Sequence, residues 1–230
     1  MAACERILVS WSGGKDSCLT LAEILRRGTC SVEALITTVT EGYDRISMHG
    51  VRRSLLEQQA DALGIPLQVV LIPQAATNDV YQSRMETALE RHRRAGVTTI
   101  AFGDLFLADI RKYREQWLAG VGMTPIFPIW LRDTHDLARE FIDQGFEATL
   151  SCIDTRVLDC AFAGRLFDRA LLADFPEGVD PCGENGEFHT FVSAGPLFRR
   201  NVPVVRGEVV RRESWCFCDL LPARPEEEAG

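Results

Sequence analysis

With 230 residues, 46% of them hydrophobic and 25% charged, the chain is long enough for a sizeable buried core and too mixed for a disordered or fibrous protein. A formal net charge of −8 argues against a broad electrostatic grip on nucleic acid, since neutralising phosphate takes an excess of Lys and Arg. No apolar run approaches the roughly 18 residues of a membrane span, and Glu5 and Arg6 interrupt anything like a secretory signal, so a cytoplasmic protein with no membrane partner is expected.

In chain order, residues 6–11 read as a buried strand and residues 17–27 as a helix with an apolar face, closed by Gly28. The scheme repeats: strand 32–39, helix 51–63 closed by Gly64, strand 67–72, helix 80–95 closed by Gly96, strand 97–102. Strands alternating with helices of this length predict right-handed crossovers and a mainly parallel, doubly wound α/β sheet, whose ligands bind at the carboxyl ends of the strands. Residues 108–120 form a further helix with Ile110, Tyr113 and Trp117 on one face, followed by the proline-broken "MTPIFPIW". Helix 134–144 and strand 147–153 come next. From Phe175 the alternation is lost, with short alternating runs at 202–205 and 209–218, so residues 130–222 read as a second, smaller α+β lobe and 223–230 as a disordered tail.

The eight cysteines are scattered, with no C-x-x-C pair, and read as reduced, mostly buried thiols. A strand through "SWCFCDL" would put the sulfurs of Cys216 and Cys218 on one face.

The chemistry starts at "LVSWSGGKDSCLTL". A glycine-rich turn between a parallel strand and a helix aims backbone N–H groups and the positive end of the helix dipole at one point, which suits an anion. Gly13 and Gly14 let the backbone approach phosphate oxygens, Lys15 supplies a mobile positive charge, Asp16 follows it, and Ser12 and Ser17 add hydroxyl donors. Asp16 stands where the G-x-x-x-x-G-K-[ST] nucleotide loop has its magnesium-binding hydroxyl, so the chemistry differs from that loop's. Gly103 and Asp104 end a strand at the ligand edge, where Asp104 holds magnesium, orients a nucleotide or caps the next helix. On that helix Arg111 and Arg114 project one turn apart and could clamp phosphate or a carboxylate. "GENGEFHT" gathers Glu184, Asn185, Glu187 and His189 in a stretch rich in site chemistry. The carboxylates could bind ammonium, take its proton or hold a second metal; Asn185 could fix a substrate carbonyl, and His189 could shuttle a proton near neutral pH. His49, beside Gly50 and ahead of a helix, is a candidate substrate contact.

The S-G-G-K-D-S turn resembles the pyrophosphate loop (PP-loop) of the ATP pyrophosphatases, which cut ATP between the α and β phosphates. "GDLFLADIRKYREQWLAGVGMTPIFPIW" and "DPCGENGEFHTFV" resemble the two signature blocks of the diphthine–ammonia ligase family, also called the ATP-binding domain of unknown-function family 71. The resemblance implies an adenine-nucleotide α-hydrolase-like domain at 1–129, a substrate lobe at 130–222, ATP and Mg2+ as cofactors, and adenine meeting the backbone of Thr37, Thr38 and Val39. It implies an ATP-dependent amide ligase that adenylates a small-molecule or protein carboxylate and passes ammonia to it. "RISMHGVRRSLLEQQADALGIPL" resembles the bacterial form of its segment, which leaves the acceptor open. Two alternatives remain at this point, a PP-loop tRNA-modifying enzyme and a non-catalytic nucleotide-binding module; a homodimer is also left open.

Overall fold

The structure, a computed structural model, describes residues 5–46 and 50–223. His49 and residues 224–230 of the expected tail lie outside the described residues. The first sheet contains β1 (Glu5–Ser10), β2 (Cys30–Thr40), β3 (Arg45–Ile46), β4 (Leu67–Ile72), β5 (Thr99–Ala101) and β6 (Thr124–Ile126). Five of these run parallel in the order β4-β2-β1-β5-β6, and β3 lies antiparallel against the end of β2. The chain steps outward from β1 through β2 to β4, then returns to β5 and β6 on the other side. The strand order therefore reverses between β1 and β5, the place where a doubly wound sheet opens a crevice.

Side chains alternate across this sheet: Ile7 and Val9 face one core while Leu8 between them faces another. Helices α1 (Lys15–Arg27) and α2 (Arg53–Leu63) each end in a left-handed glycine, Gly28 at φ 62° and Gly64 at φ 70°. Helices α3 (Asn78–Arg94) and α4 (Ala108–Gly120) complete this half. Of the apolar stripe expected on α4, Ile110 and Tyr113 are exposed while Trp117 packs partly buried against the second core; Leu118, outside the stripe, is the helix's buried residue.

The remaining elements are α5 (Thr134–Asp143), β7 (Glu147–Asp154), α6 (Arg169–Asp174), β8 (Phe188–Ala194), β9 (Val204–Arg212) and β10 (Trp215–Pro222). Their sheet is antiparallel, in the order β8-β7-β10-β9. The run expected as one alternating segment at 209–218 is a hairpin, turned at Glu213 (φ 53°). "MTPIFPIW" contains β6, an edge strand; an edge position accommodates Pro125, which has no N–H to donate. One apolar cluster runs without a break from Ile7 and Val9 through Leu150 and Phe191 to Leu220, so the two sheets share a core.

One cysteine expectation needs correction. Cys160 and Cys216 form a disulfide, which ties a short 3-10 turn at Cys160–Phe162 to β10. Cys18, Cys152, Cys182 and Cys218 are buried free thiols. Phe141 sits at the centre of the shared core, stacked on Phe146 at 5.0 Å and edge-on to Phe167 at 5.5 Å. Phe141→Ala should lower the unfolding free energy by about 3–5 kcal/mol, measured by urea denaturation, because the cavity it leaves is lined by rings that cannot collapse into it.

Candidate functional site

The turn after β1 forms as the sequence suggests, with α1 starting at Lys15 behind Gly14. Ser12, Gly14, Lys15, Asp16 and Ser17 form one wall of a cavity of about 290 Å³, small among ligand sites. Gly103, Asp104 and Arg114, from the end of β5 and from α4, form a second wall. The third is Gly183 and Glu184, from the turn that leads into β8, with His189 and Thr190 on that strand. The cavity thus opens where the strand order reverses.

The glycines serve the loop's packing. Gly13 has φ 76°, and a Cβ there would stand 2.6 Å from both Gln59 Oε1 and Leu56 Cδ2. A Cβ on Gly14 would lie 3.0 Å from the Thr190 carbonyl. Gly103 is equally tight, 2.9 Å from the Asp16 carbonyl, so the end of β5 rests on the first turn of α1. Ser17 Oγ donates to the Gly14 carbonyl at 2.8 Å, and the Gly14 N–H donates to Ser12 Oγ at 3.3 Å.

Lys15 differs from the expected mobile charge. Its residue is 1% exposed, and its ammonium donates to both Asp16 oxygens, at 2.7 and 2.9 Å, and to the Cys182 carbonyl. The rings of Phe167 and Phe188 stand 5.9 and 5.7 Å from the nitrogen. Burial, the largest influence, would lower the Lys15 pKa; the charge and hydrogen bonds of Asp16, with Cys182 and Asp180, together more than offset it, so the ammonium stays charged. Asp104 is held just as firmly: Arg114 Nε meets Oδ2 at 2.6 Å and Nη2 meets Oδ1 at 3.1 Å, with the guanidinium over Phe102.

Glu184 is the lining carboxylate with no ion-pair partner among the described residues. Its Oε1 accepts from the Leu105 N–H at 2.7 Å, and burial raises its pKa to about 7. Asp16, Asp104 and Glu184 are the carboxylates that meet the cavity. No group of three His, Cys, Asp or Glu among the described residues could hold a metal by itself. A magnesium ion that arrives on nucleotide phosphates needs one or two carboxylates, but both Asp104 oxygens are engaged by Arg114, so the metal site expected at Asp104 is not held open.

The other expected site residues divide clearly. Glu187 is buried and ties the turn together, its Oε1 accepting from the Asp180 N–H at 3.1 Å and from Asn185 Nδ2 at 3.0 Å; neither Glu187 nor Asn185 lines the cavity. Arg111 also lies off it, stacked on Phe127 and Trp130 at 4.9 and 4.8 Å and paired with Glu115, so it forms no clamp with Arg114. Thr37, Thr38 and Val39 continue β2 beyond the end of β1. Trp11 N–H takes the Ile36 carbonyl, and by alternation Thr38 turns its backbone groups to the same side. A larger hollow of about 720 Å³ lies behind the turn, between α5 and α6, and none of the expected residues lines it.

Gln59 and Thr190 escaped sequence reading. Gln59 is fully buried on α2 and occupies a core position of the stripe Leu55, Leu56, Gln59, Ala60, Leu63; a polar residue in that register was the available signal. The Lys15 N–H donates to Thr190 Oγ1 at 3.0 Å, a bond between residues 175 apart in the chain.

Against known families, residues 5–125 match the diphthamide synthase N-terminal domain and residues 133–224 the diphthamide synthase C-terminal domain. The chain belongs to the diphthamide synthase family. Its similarity to the protein named diphthine–ammonia ligase in Homo sapiens is 25% identity over 244 residues, 95% of this chain and 90% of the human one. The Danio rerio protein of that name is 27% identical over 241 residues, 94% and 92% of the two chains. A solved structure titled as a predicted subunit of tRNA methyltransferase from Methanocaldococcus jannaschii covers 83% of this chain and 98% of its own. With a TM-score of 0.42 and 20% identity it adds nothing to the strand order already described. Among the described residues, no helix of this diphthamide synthase family member is long and apolar enough to cross a membrane.

His189 in this family member corrects a further expectation. Burial, aided by the Lys15 charge, lowers its pKa to about 4, so it is neutral near pH 7 and no proton shuttle there. The unfolded chain protonates this histidine near 6.5, so its contribution to stability falls as pH drops from 6.5 towards 4, by about 3 kcal/mol. Glu184, with its raised pKa, acts in the opposite direction over a similar range. The two separate in a variant: His189→Gln should gain stability relative to the parent as pH falls from 6.5 to 4 in urea titrations, and the His189 ring should show no NMR titration above pH 5.

Proposed function

We propose that the protein is an ATP-dependent amide ligase: a substrate carboxylate attacks the α-phosphorus of ATP, pyrophosphate leaves, and ammonia displaces AMP from the acyl-adenylate. The observation that carries this reading is the placement of the turn at 12–17. It presents a helix N-terminus and a fixed ammonium to a cavity at the strand-order reversal. The relatives named diphthine–ammonia ligase, matched along nearly their whole length, support the same chemistry.

In this reading the β and γ phosphates sit on the amides at the start of α1 beside Lys15, whose charge needs no rearrangement as pyrophosphate departs. Arg114, fixed by Asp104 and the Phe102 ring, faces the same space, and its guanidinium keeps N–H donors beyond those given to Asp104 for phosphate oxygens. Magnesium, when bound, neutralises phosphate charge. Adenine lies along the end of β2 towards Thr38. Glu184, across the cavity, attracts ammonium and accepts its proton, leaving ammonia to attack the acyl carbon; the nitrogen sheds a further proton as AMP leaves. The wall Gly183–Thr190 excludes water that would hydrolyse the adenylate. The acceptor is a carboxylate of a small molecule or a protein.

With MgATP, ammonium chloride and a panel of carboxylates that includes diphthine-bearing elongation factor, AMP and pyrophosphate should appear in equal amounts. Lys15→Ala should cut their formation roughly 10²–10³-fold. ADP and phosphate as the products would rule the scheme out.

A further inference from the structure

The cavity's phosphate wall is held from behind by one side chain. Gln59 is 0% exposed and makes three hydrogen bonds. Trp11 Nε1 donates to its Oε1 at 3.0 Å; its Nε2 donates to the Gly13 carbonyl at 2.9 Å and to the Val192 carbonyl at 2.6 Å. The indole N–H can only donate, which fixes the orientation of the amide and leaves its two hydrogens for the two carbonyls. Every group is satisfied: both N–H bonds have acceptors and the oxygen has a donor, on a side chain closed to bulk solvent.

Those partners belong to three parts of the chain. Gly13 is the turn after β1, Trp11 is the residue that leads into it, and Val192 lies on β8 of the other sheet. The backbone closes the same triangle, with the Val192 N–H donating to the Gly13 carbonyl at 2.9 Å. β8 begins at Phe188, directly after the Glu184-bearing turn, and Thr190 on it accepts from the Lys15 N–H.

We infer that Gln59 is a positioning residue for nucleotide binding, an amide lock that fixes the 12–17 turn against β8 so that the two opposing walls of the cavity hold one separation. It touches neither phosphate nor acceptor, and its effect passes through Gly13. The inference rests on the proposed reading that ATP phosphates bind that turn. No other residue type of this size supplies one acceptor and two donors in a plane: Met fills the space without them, and Glu keeps the acceptor but sets oxygen against both carbonyls. Without the amide the Val192 carbonyl and the Trp11 N–H lose this partner and the Gly13 carbonyl keeps only the Val192 N–H, so the buried groups relax away from the gap and the turn moves with them.

The test is MgATP affinity by calorimetry for Gln59→Met and Gln59→Glu, beside Lys15→Ala and Leu55→Ala. Leu55 is a buried apolar residue on the same helix, so its truncation destabilises α2 without touching the lock. Gln59→Met should bind MgATP roughly 10- to 100-fold more weakly, while Leu55→Ala, with a comparable or larger loss in Tm, stays within twofold of the parent. Affinity within twofold for a folded Gln59 variant, or an equal loss in Leu55→Ala, overturns the lock. Unchanged affinity in Lys15→Ala instead overturns the phosphate reading, so the two failures are distinct. Should both Gln59 variants fail to fold, amide hydrogen exchange on the parent decides. MgATP should slow exchange at Val192 at least tenfold, although that residue does not line the cavity; no change there contradicts the lock.

Discussion

The Gly13 carbonyl, buried between α2 and β8, accepts from both Gln59 and the Val192 N–H, and the rest of the architecture depends on those bonds. A turn that follows the first strand of a parallel sheet would ordinarily stand free at the sheet's edge. Here it is stitched to a strand more than 170 residues later, by Val192 through Gly13 and by Thr190 through Lys15. The absence of a Cβ at Gly13 and Gly14 permits this, since side chains there would strike Gln59, Leu56 and the Thr190 carbonyl. The shared apolar core follows: with β8 docked on the turn, Phe191 and Val192 pack into the same cluster as Ile7 and Val9.

The electrostatics follow from the same docking. An ammonium as buried as that of Lys15 is costly unless its donors find partners, and Asp16 with the Cys182 carbonyl supplies them, drawn from both halves of the chain. Arg114 and Asp104 neutralise each other on the adjacent wall. Cations and carboxylates thus arrive in pairs, with Glu184 outside that scheme. A site so arranged holds its charges still before any ligand enters, which is the condition under which fixed charges favour a departing pyrophosphate. Neutral His189 adds no charge of its own at pH 7.

The sequence was most legible where local chemistry and tertiary role coincide. The apolar run, the glycine pair and the amphipathic stretch of α1 each have a short-range cause, as do the left-handed glycines at 28 and 64. The turn, Asp104 with Arg114, and Glu184 were therefore found, and the cavity brings them together. What escaped depends on long-range partners. β8 was hidden because its first residues share a segment with the turn-forming "GENGE"; its pairing with β7 makes it a strand. Arg111 has the spacing to join Arg114, but the aromatic pair Phe127 and Trp130, brought up by the chain after β6, captures its guanidinium. The Cys160–Cys216 disulfide has no spacing signature, because a hairpin and a 3-10 turn create the proximity. The mobility expected of Lys15 failed for a related reason: the walls that bury it come from residues 167, 182 and 188.

The central claim is that the amides and ammonium of the turn between Trp11 and Cys18 receive the two outer phosphates of ATP. A crystal structure with magnesium and α,β-methylene-ATP tests it directly. The account predicts the β and γ phosphates within hydrogen-bond reach of the 13–17 backbone and the Lys15 ammonium, with the Val192 to Gly13 bond intact. Phosphates bound elsewhere, for instance in the hollow between α5 and α6, with the turn left facing solvent, would contradict it.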